Sequence, residues 1–260
     1  MFSLSIYMDW KFEEEVLQNL ATHVNTRIKN PKKIDIIQSA LNDASYLDER
    51  NTELLGDKTF NTLRVYLMSE SFAPYFYGGG ACAGYSLFLS RLLGKLGFET
   101  KIIQLKVKGV PGGHITLGIV DGNRLLLVDP LYNLAYKDSS GNLVDIHDVA
   151  KNWNNYYRYQ VPQNYNLKYD YQEGWRFTNW DKFGSFSRGI YKIGVFIFGK
   201  KKVDNFSFAS EFSGLSRSYF VIAFLGFLVF TSFLIKELFL KKQVIIKKFK
   251  KMPKPEGVLI

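Results

Sequence analysis

Residues 100–130 read TKIIQLKVKGVPGGHITLGIVDGNRLLLVDP, and the period of their apolar positions decides the fold class. In Thr100–Val107 the apolar Ile103, Leu105 and Val107 alternate with Gln104 and Lys106, the two-residue repeat of a half-buried strand. His114–Val120 and Arg124–Val128 are apolar runs joined by Asp121-Gly122-Asn123, whose glycine and asparagine tolerate the positive φ of a hairpin turn. Two adjacent antiparallel strands are therefore predicted. Upstream the period is helical: Val16, Leu20 and Val24, then Ile34, Ile37 and Leu41, recur at three and four positions from Phe12 to about Arg64, with Asn30-Pro31 as a break. Two or three amphipathic helices should open the chain. After a loop over Ser69–Gly80 a further helical pattern runs from Cys82 to Leu96, with Gly97 where a helix stop belongs. Helices followed by a small antiparallel sheet predict an α+β fold rather than a doubly wound parallel sheet.

Further along, aromatic residues crowd between Trp153 and Phe186 without a period. They are expected to form a second layer of short strands and loops that completes the core, in preference to an aromatic wall beside a substrate groove. Ser218–Ile235 is an 18-residue stretch without a charge, bracketed by Arg217 and Lys236, which reaches the lower length limit for a membrane span. The expected organisation is an N-terminal helical segment over 1–54, a catalytic-type domain over 55–186, a linker over 187–217, a transmembrane helix over 218–240 and a basic tail over 241–260.

The chain has 260 residues and a net charge of +10, but residues 200–260 carry 12 Lys/Arg against 4 Asp/Glu and so account for most of it. The rest is nearly neutral, which argues against nucleic acid as a partner and assigns the basicity to membrane lipid, since the seven lysines after the apolar stretch favour anionic headgroups. The start MFSLSIYMDWKFEEEV has no basic n-region or apolar run of signal length, so no cleavable export signal is expected. Lysine counts on the two sides of the apolar stretch put the tail inside, while the missing signal favours a domain facing the cytosol; the cytosolic side is the slightly preferred expectation.

One cysteine excludes an internal disulfide framework and any multi-cysteine metal site. Cys82 follows Gly78-Gly79-Gly80-Ala81 and opens a helix, where the dipole and unpaired amides favour a thiolate and offer donors to an oxyanion. His114 stands at the mouth of a strand after Pro111-Gly112-Gly113, and Asp129 closes the next strand before Pro130, so a tight hairpin should set the two side by side. Nucleophile, base and orienting carboxylate are thus all present. With Gly80-Ala81-Cys82-Ala83-Gly84-Tyr85-Ser86, the helix Leu87–Leu93, Leu96-Gly97-Phe98, Gly113-His114 and Leu127-Val128-Asp129-Pro130, residues 55–135 resemble the transglutaminase-like superfamily of papain-like fold. The resemblance implies Cys82 as nucleophile, His114 as base and Asp129 as orienting acid of a thiol acyl-transfer site acting on a protein or peptide, without a cofactor or metal. The family includes cross-linking transglutaminases, proteases, peptide glycanases and members without activity. This sequence departs from its pattern in having Ile115-Thr116-Leu117 after the histidine, where an aromatic residue often follows, and Leu131 after Asp129-Pro130, where threonine is frequent.

Two readings of function follow: a membrane-anchored cysteine acyltransferase or hydrolase, or an inactive membrane-tethered scaffold of the same fold serving envelope or polysaccharide assembly. His147 in Asp145-Ile146-His147-Asp148 lacks spaced partners for a metal and reads as a helix start, His23 reads as structural, and Gly78–Gly80 lacks the Lys-Ser/Thr of a phosphate loop.

Overall fold

The computed structural model describes residues 2–29, 31–45, 82–108, 113–166, 168–180 and 184–211, with 226, 229–233 and 236 beyond them. Strands β1 (Thr100–Leu105), β2 (Ile115–Asp121), β3 (Arg124–Asp129), β4 (Leu134–Ala135) and β5 (Trp175–Arg176) form one antiparallel sheet in the order β4-β3-β2-β1-β5. The hairpin between β2 and β3 pairs Asp121 with Arg124, and only the first turn residue, Gly122, has positive φ (+61°). Asn123 does not take the left-handed conformation its type would tolerate. Positive φ at the first position alone is the pattern of a type II′ turn, which matches the right-handed twist of the strands.

Side-chain parity then divides the core. Ile102, Leu117, Ile119, Leu126 and Val128 point to one face and join Leu17, Ile37, Leu41, Phe88, Leu89 and Leu92 from the helices α1 (Phe2–Arg27), α2 (Lys33–Ser45) and α3 (Cys82–Lys95). Their neighbours Ile103, Leu105, Leu127 and Leu134 point to the other face and join Tyr136, Val144, Ile146, Val149, Trp153, Tyr165 and Tyr171. The sheet is therefore covered on both sides, and β1 is more deeply buried than the half-buried strand its alternation predicts: Ile102 and Ile103 are both buried. The second layer is built of helices α4 (Ile146–Lys151) and α5 (Trp153–Tyr159), a 3-10 turn at Tyr171–Glu173 and loops rather than of short strands, β5 belonging to the sheet itself, and the aromatic stretch packs there because large rings fill an irregular space efficiently.

Helix α3 is the central element. Residues 84–93 are all buried, the all-round burial of a helix enclosed by α1 and α2 on one side and the sheet on the other. Gly97 at φ +86° ends it in a Schellman motif, with Phe98 N–H donating to the Leu93 carbonyl at 2.9 Å and Gly97 N–H to Gly94 at 3.1 Å. Helix α1 starts at Phe2, ten residues before the apolar repeat at Phe12, and its acidic run is turned inward. Glu13 and Glu14 each meet Arg91 of α3 at 2.9 Å, and Lys95 also bonds Glu14. Burial pushes the Glu14 carboxyl up, but its bonds to Lys95 and Arg91 outweigh this and hold it below the usual carboxylate range.

Residues 187–211, expected to be linker, are helical in α6 (Gly184–Phe198), α7 (Lys200–Asp204) and α8 (Phe208–Glu211). Ser207 Oγ donates to the Ile102 carbonyl at 3.1 Å and Ser210 Oγ accepts from Ile102 N–H at 2.7 Å, so both backbone groups of Ile102 in β1 are satisfied where the short β5 does not reach. The chain divides into two units, Met1–Arg217 and Ser218–Ile260. Among the described residues no helix is long and apolar enough to cross a membrane. The expected span over 218–240 lies mostly outside them, as do the basic tail and the residues of a third opening helix.

The Glu13–Arg91 pair is almost wholly buried, so removing one partner leaves an uncompensated charge in the core. Arg91→Leu should lower the unfolding free energy by about 3 kcal/mol in urea titrations, and adding Glu13→Leu should restore a substantial part of it.

Candidate active site

The register of β2 on β3 places two of the three expected residues. Leu117 pairs with Val128, so Asp129 comes level with Thr116, and parity turns His114, Thr116 and Asp129 to the face opposite Leu117 and Val128. His114 and Asp129 are thus a diagonal pair rather than direct neighbours, a spacing that long side chains bridge. His114 Nε2 lies 2.6 Å from Asp129 Oδ2, and both residues are fully buried.

Two close contacts fix the histidine's backbone. Leu105 N–H of β1 donates to the His114 carbonyl at 2.8 Å. A Cβ on the preceding Gly113 would lie 1.9 Å from the Leu105 carbonyl oxygen, so only glycine lets the chain approach β1 this closely. The third residue arrives from the other face. Cys82 is the first residue of α3, and Ile115 N–H donates to its Sγ at 3.3 Å. One turn on, Ser86 Oγ donates to the Ile115 carbonyl at 3.2 Å. Both backbone groups of the residue after His114 are therefore held by α3, which sets the separation of thiol and ring.

Burial pushes the Cys82 thiol up, yet hydrogen bonding and charge from His114, with the Ile115 N–H, outweigh it and bring the thiol below its ordinary value; Asp129 opposes them. Burial pushes His114 down, and the charge and hydrogen bond of Asp129, aided by Cys82, overcome this and raise it to about 9. Both shifts favour a thiolate–imidazolium pair. With Nε2 committed to Asp129, the buried Nδ1 is the ring nitrogen left for the thiol, and it makes no hydrogen bond of full geometry with Sγ or with any other atom. Cys82 itself is half-buried and reachable.

The ring is enclosed by tyrosines that no sequence period indicated. Tyr169 stacks on it at 4.2 Å with planes 10° apart, and Tyr132 and Tyr165 lie at 5.9 and 6.3 Å. Stacked aromatic faces favour an imidazolium over a neutral ring. Behind them the hydroxyls of Tyr136, Tyr165 and Tyr171 and the Oδ1 of Asp129 are buried without a hydrogen bond of full geometry. Burial, joined by the Asp129 charge, pushes these phenols up, so they act as neutral dipoles.

The remaining histidines lie elsewhere. His147 is exposed in the first turn of α4, beside the capping Asp145, with its ring against Trp175 at 5.3 Å; His23 is exposed on α1. Among the described residues no group of three His, Cys, Asp or Glu is placed to hold a metal. Gly78–Gly80 and Ala81 lie outside the described residues. Comparison of the chain with protein-family models, with curated proteins and with solved structures finds no match.

The lowered thiol should make Cys82 react with iodoacetamide at pH 6.5 faster than an ordinary cysteine. His114→Ala removes the two largest lowering influences and leaves burial and Asp129 opposed only by the Ile115 N–H, so it should slow the reaction; equal rates in the two folded proteins would show the pair uncoupled. Gly113→Ala should slow it also, by displacing His114, with far-UV circular dichroism retained.

The raised His114 value carries a sign for stability. A group whose folded value of about 9 exceeds its unfolded 6.5 contributes stability that is fully present below pH 6.5 and is lost as pH rises through about 9. The lowered Cys82 thiol contributes with the opposite sign in the same window, so in a Cys82→Ser background urea midpoints should fall between those limits, and Asp129→Asn should flatten that fall.

Proposed function

We propose that this protein is a membrane-anchored, transglutaminase-like enzyme of papain-like fold that transfers or hydrolyses the acyl group of a protein or peptide amide through a thioester on Cys82. The single observation that supports this most is the buried His114–Asp129 bond beside an acidified, reachable thiol. A structural cysteine needs neither a lowered pKa nor a base fixed by a carboxylate.

In this reading the Cys82 thiolate attacks the amide carbonyl carbon. The electron pair moves to the oxygen, which the N–H groups of the first turn of α3 would receive as donors. Collapse breaks the C–N bond, and the His114 imidazolium gives its proton to the leaving amine. Water or an acceptor amine then attacks the thioester, loses a proton to the neutral imidazole, and the thiolate departs. Asp129 holds the ring so that Nδ1 faces the reacting atoms, and it favours the imidazolium in both halves of the cycle. The apolar residues 218–235 serve as the anchor, the lysines after them rest on anionic headgroups, and the domain faces the cytosol.

Acid-quenched intact-mass measurements on protein incubated with a panel of protein and peptide amides should find an acyl adduct on Cys82 that hydroxylamine removes. Cys82→Ala should form none, and Asp129→Asn should slow adduct formation roughly 100-fold or more, the range of general acid–base contributions. Rapid alkylation of Cys82 with no acyl adduct from any amide would instead leave the inactive scaffold.

A further inference from the structure

Helix α6 presents its apolar side outward. Phe186, Ile190, Ile193 and Ile197 are 73%, 45%, 62% and 60% exposed, and at 100° per residue they fall within an arc of about 60°. Phe196 beside them is 91% exposed. The side packed on the protein is a different one. Ser187 is buried with its Oγ donating to the Trp180 carbonyl at 2.6 Å, Gly194 meets Val203, and Tyr191 Oη donates to Asp204 Oδ1 at 3.0 Å. Ile190, at the edge of the stripe, also lines a cavity with Gly194, Val203 and Phe206, but Phe186, Ile193 and Ile197 stand mostly clear of the described residues, and a contiguous exposed patch of this kind marks an interaction surface.

Charge identifies the occupant. Between residues 184 and 203 stand Arg188, Lys192, Lys200, Lys201 and Lys202 without a single Asp or Glu. Beside the helix a cavity of about 710 Å³ is lined by Lys106, Arg176, Arg188 and Lys192 against one carboxylate, Asp204, with Trp175 and Trp180 in its wall. An apolar stripe on one side of a helix with cations on its other sides matches the layering of a bilayer surface: acyl chains, then anionic headgroups. A second copy on the same stripe would bring two such cationic sets together, which is unfavourable.

We propose that α6 lies in the plane of an anionic lipid bilayer, with Phe186, Ile190, Ile193 and Ile197 among the acyl chains and Arg188, Lys192 and Lys200–Lys202 at the headgroup phosphates. This contact is independent of the thiol chemistry and of any span further along the chain. It orients the domain against the surface instead of leaving it free on a tether.

The test uses the full chain in a Cys82→Ser background, which makes the result indifferent to catalysis. Ile193→Cys, Ile197→Cys and Lys201→Cys are each labelled with bimane, and the protein is reconstituted into phosphatidylcholine vesicles with about 30 mol% phosphatidylserine. Labels at 193 and 197 should be quenched several-fold more by lipids with brominated acyl chains than by iodide, and the label at 201 the reverse. The contrast should shrink in pure phosphatidylcholine or at high salt. Iodide quenching at 193 and 197 equal to that at 201 would overturn the proposal. Shielding from both quenchers would overturn it too, in favour of a second copy if Ile193→Cys crosslinks between molecules and of another protein contact if it does not. All three positions are exposed, so the labels leave the core intact.

Discussion

The register in which Leu117 faces Val128 is the constraint on which the rest depends. Both faces of the sheet are buried, so the two strands have only one acceptable offset. A slip of one residue on β3 would send Leu126 and Val128 toward the tyrosine layer and Asp129 among the leucines of the helical layer. Apolar packing thereby does the positioning that a polar site cannot do for itself. The histidine and carboxylate meet because the leucines around them have nowhere else to go.

At the site itself, burial and charge oppose one another, and the balance decides the chemistry. Taking Cys82 and His114 out of water disfavours the charged form of each. Their mutual attraction, with the Asp129 carboxyl and the face of Tyr169 at the ring and the Ile115 N–H at the thiol, reverses that preference, although Asp129 itself opposes the thiolate. The neighbouring phenols have no such compensation and remain neutral, which leaves a buried pair of charges surrounded by groups that do not compete for protons.

The hairpin and the Cys82 helix with its Gly97 stop were legible in the sequence because each rests on local period or turn chemistry, and the approach of His114 to Asp129 follows from that hairpin. What was not legible depends on distant partners or irregular space. Glu13 and Glu14 meet Arg91 across 78 and 77 residues, a pairing that no local pattern announces. The tyrosines around His114 follow no repeat, since rings that fill a loop-lined layer need none. Residues 187–217 were expected to be linker, yet α6 runs through Gly189 and Gly194, residues unfavourable inside a helix, and Gly194 leaves room for Val203.

Ile115 is gripped at both its N–H and its carbonyl by residues one turn apart on α3, so thiol and imidazole are neighbours only once helix and sheet have docked. The unfolded chain carries an ordinary cysteine, largely protonated at neutral pH and slow toward electrophiles. The lowered thiol is thus a property of the docked helix and sheet, and a chain still emerging from the ribosome, or one that has come apart, carries an ordinary cysteine. Chemical hazard and native structure appear and vanish together.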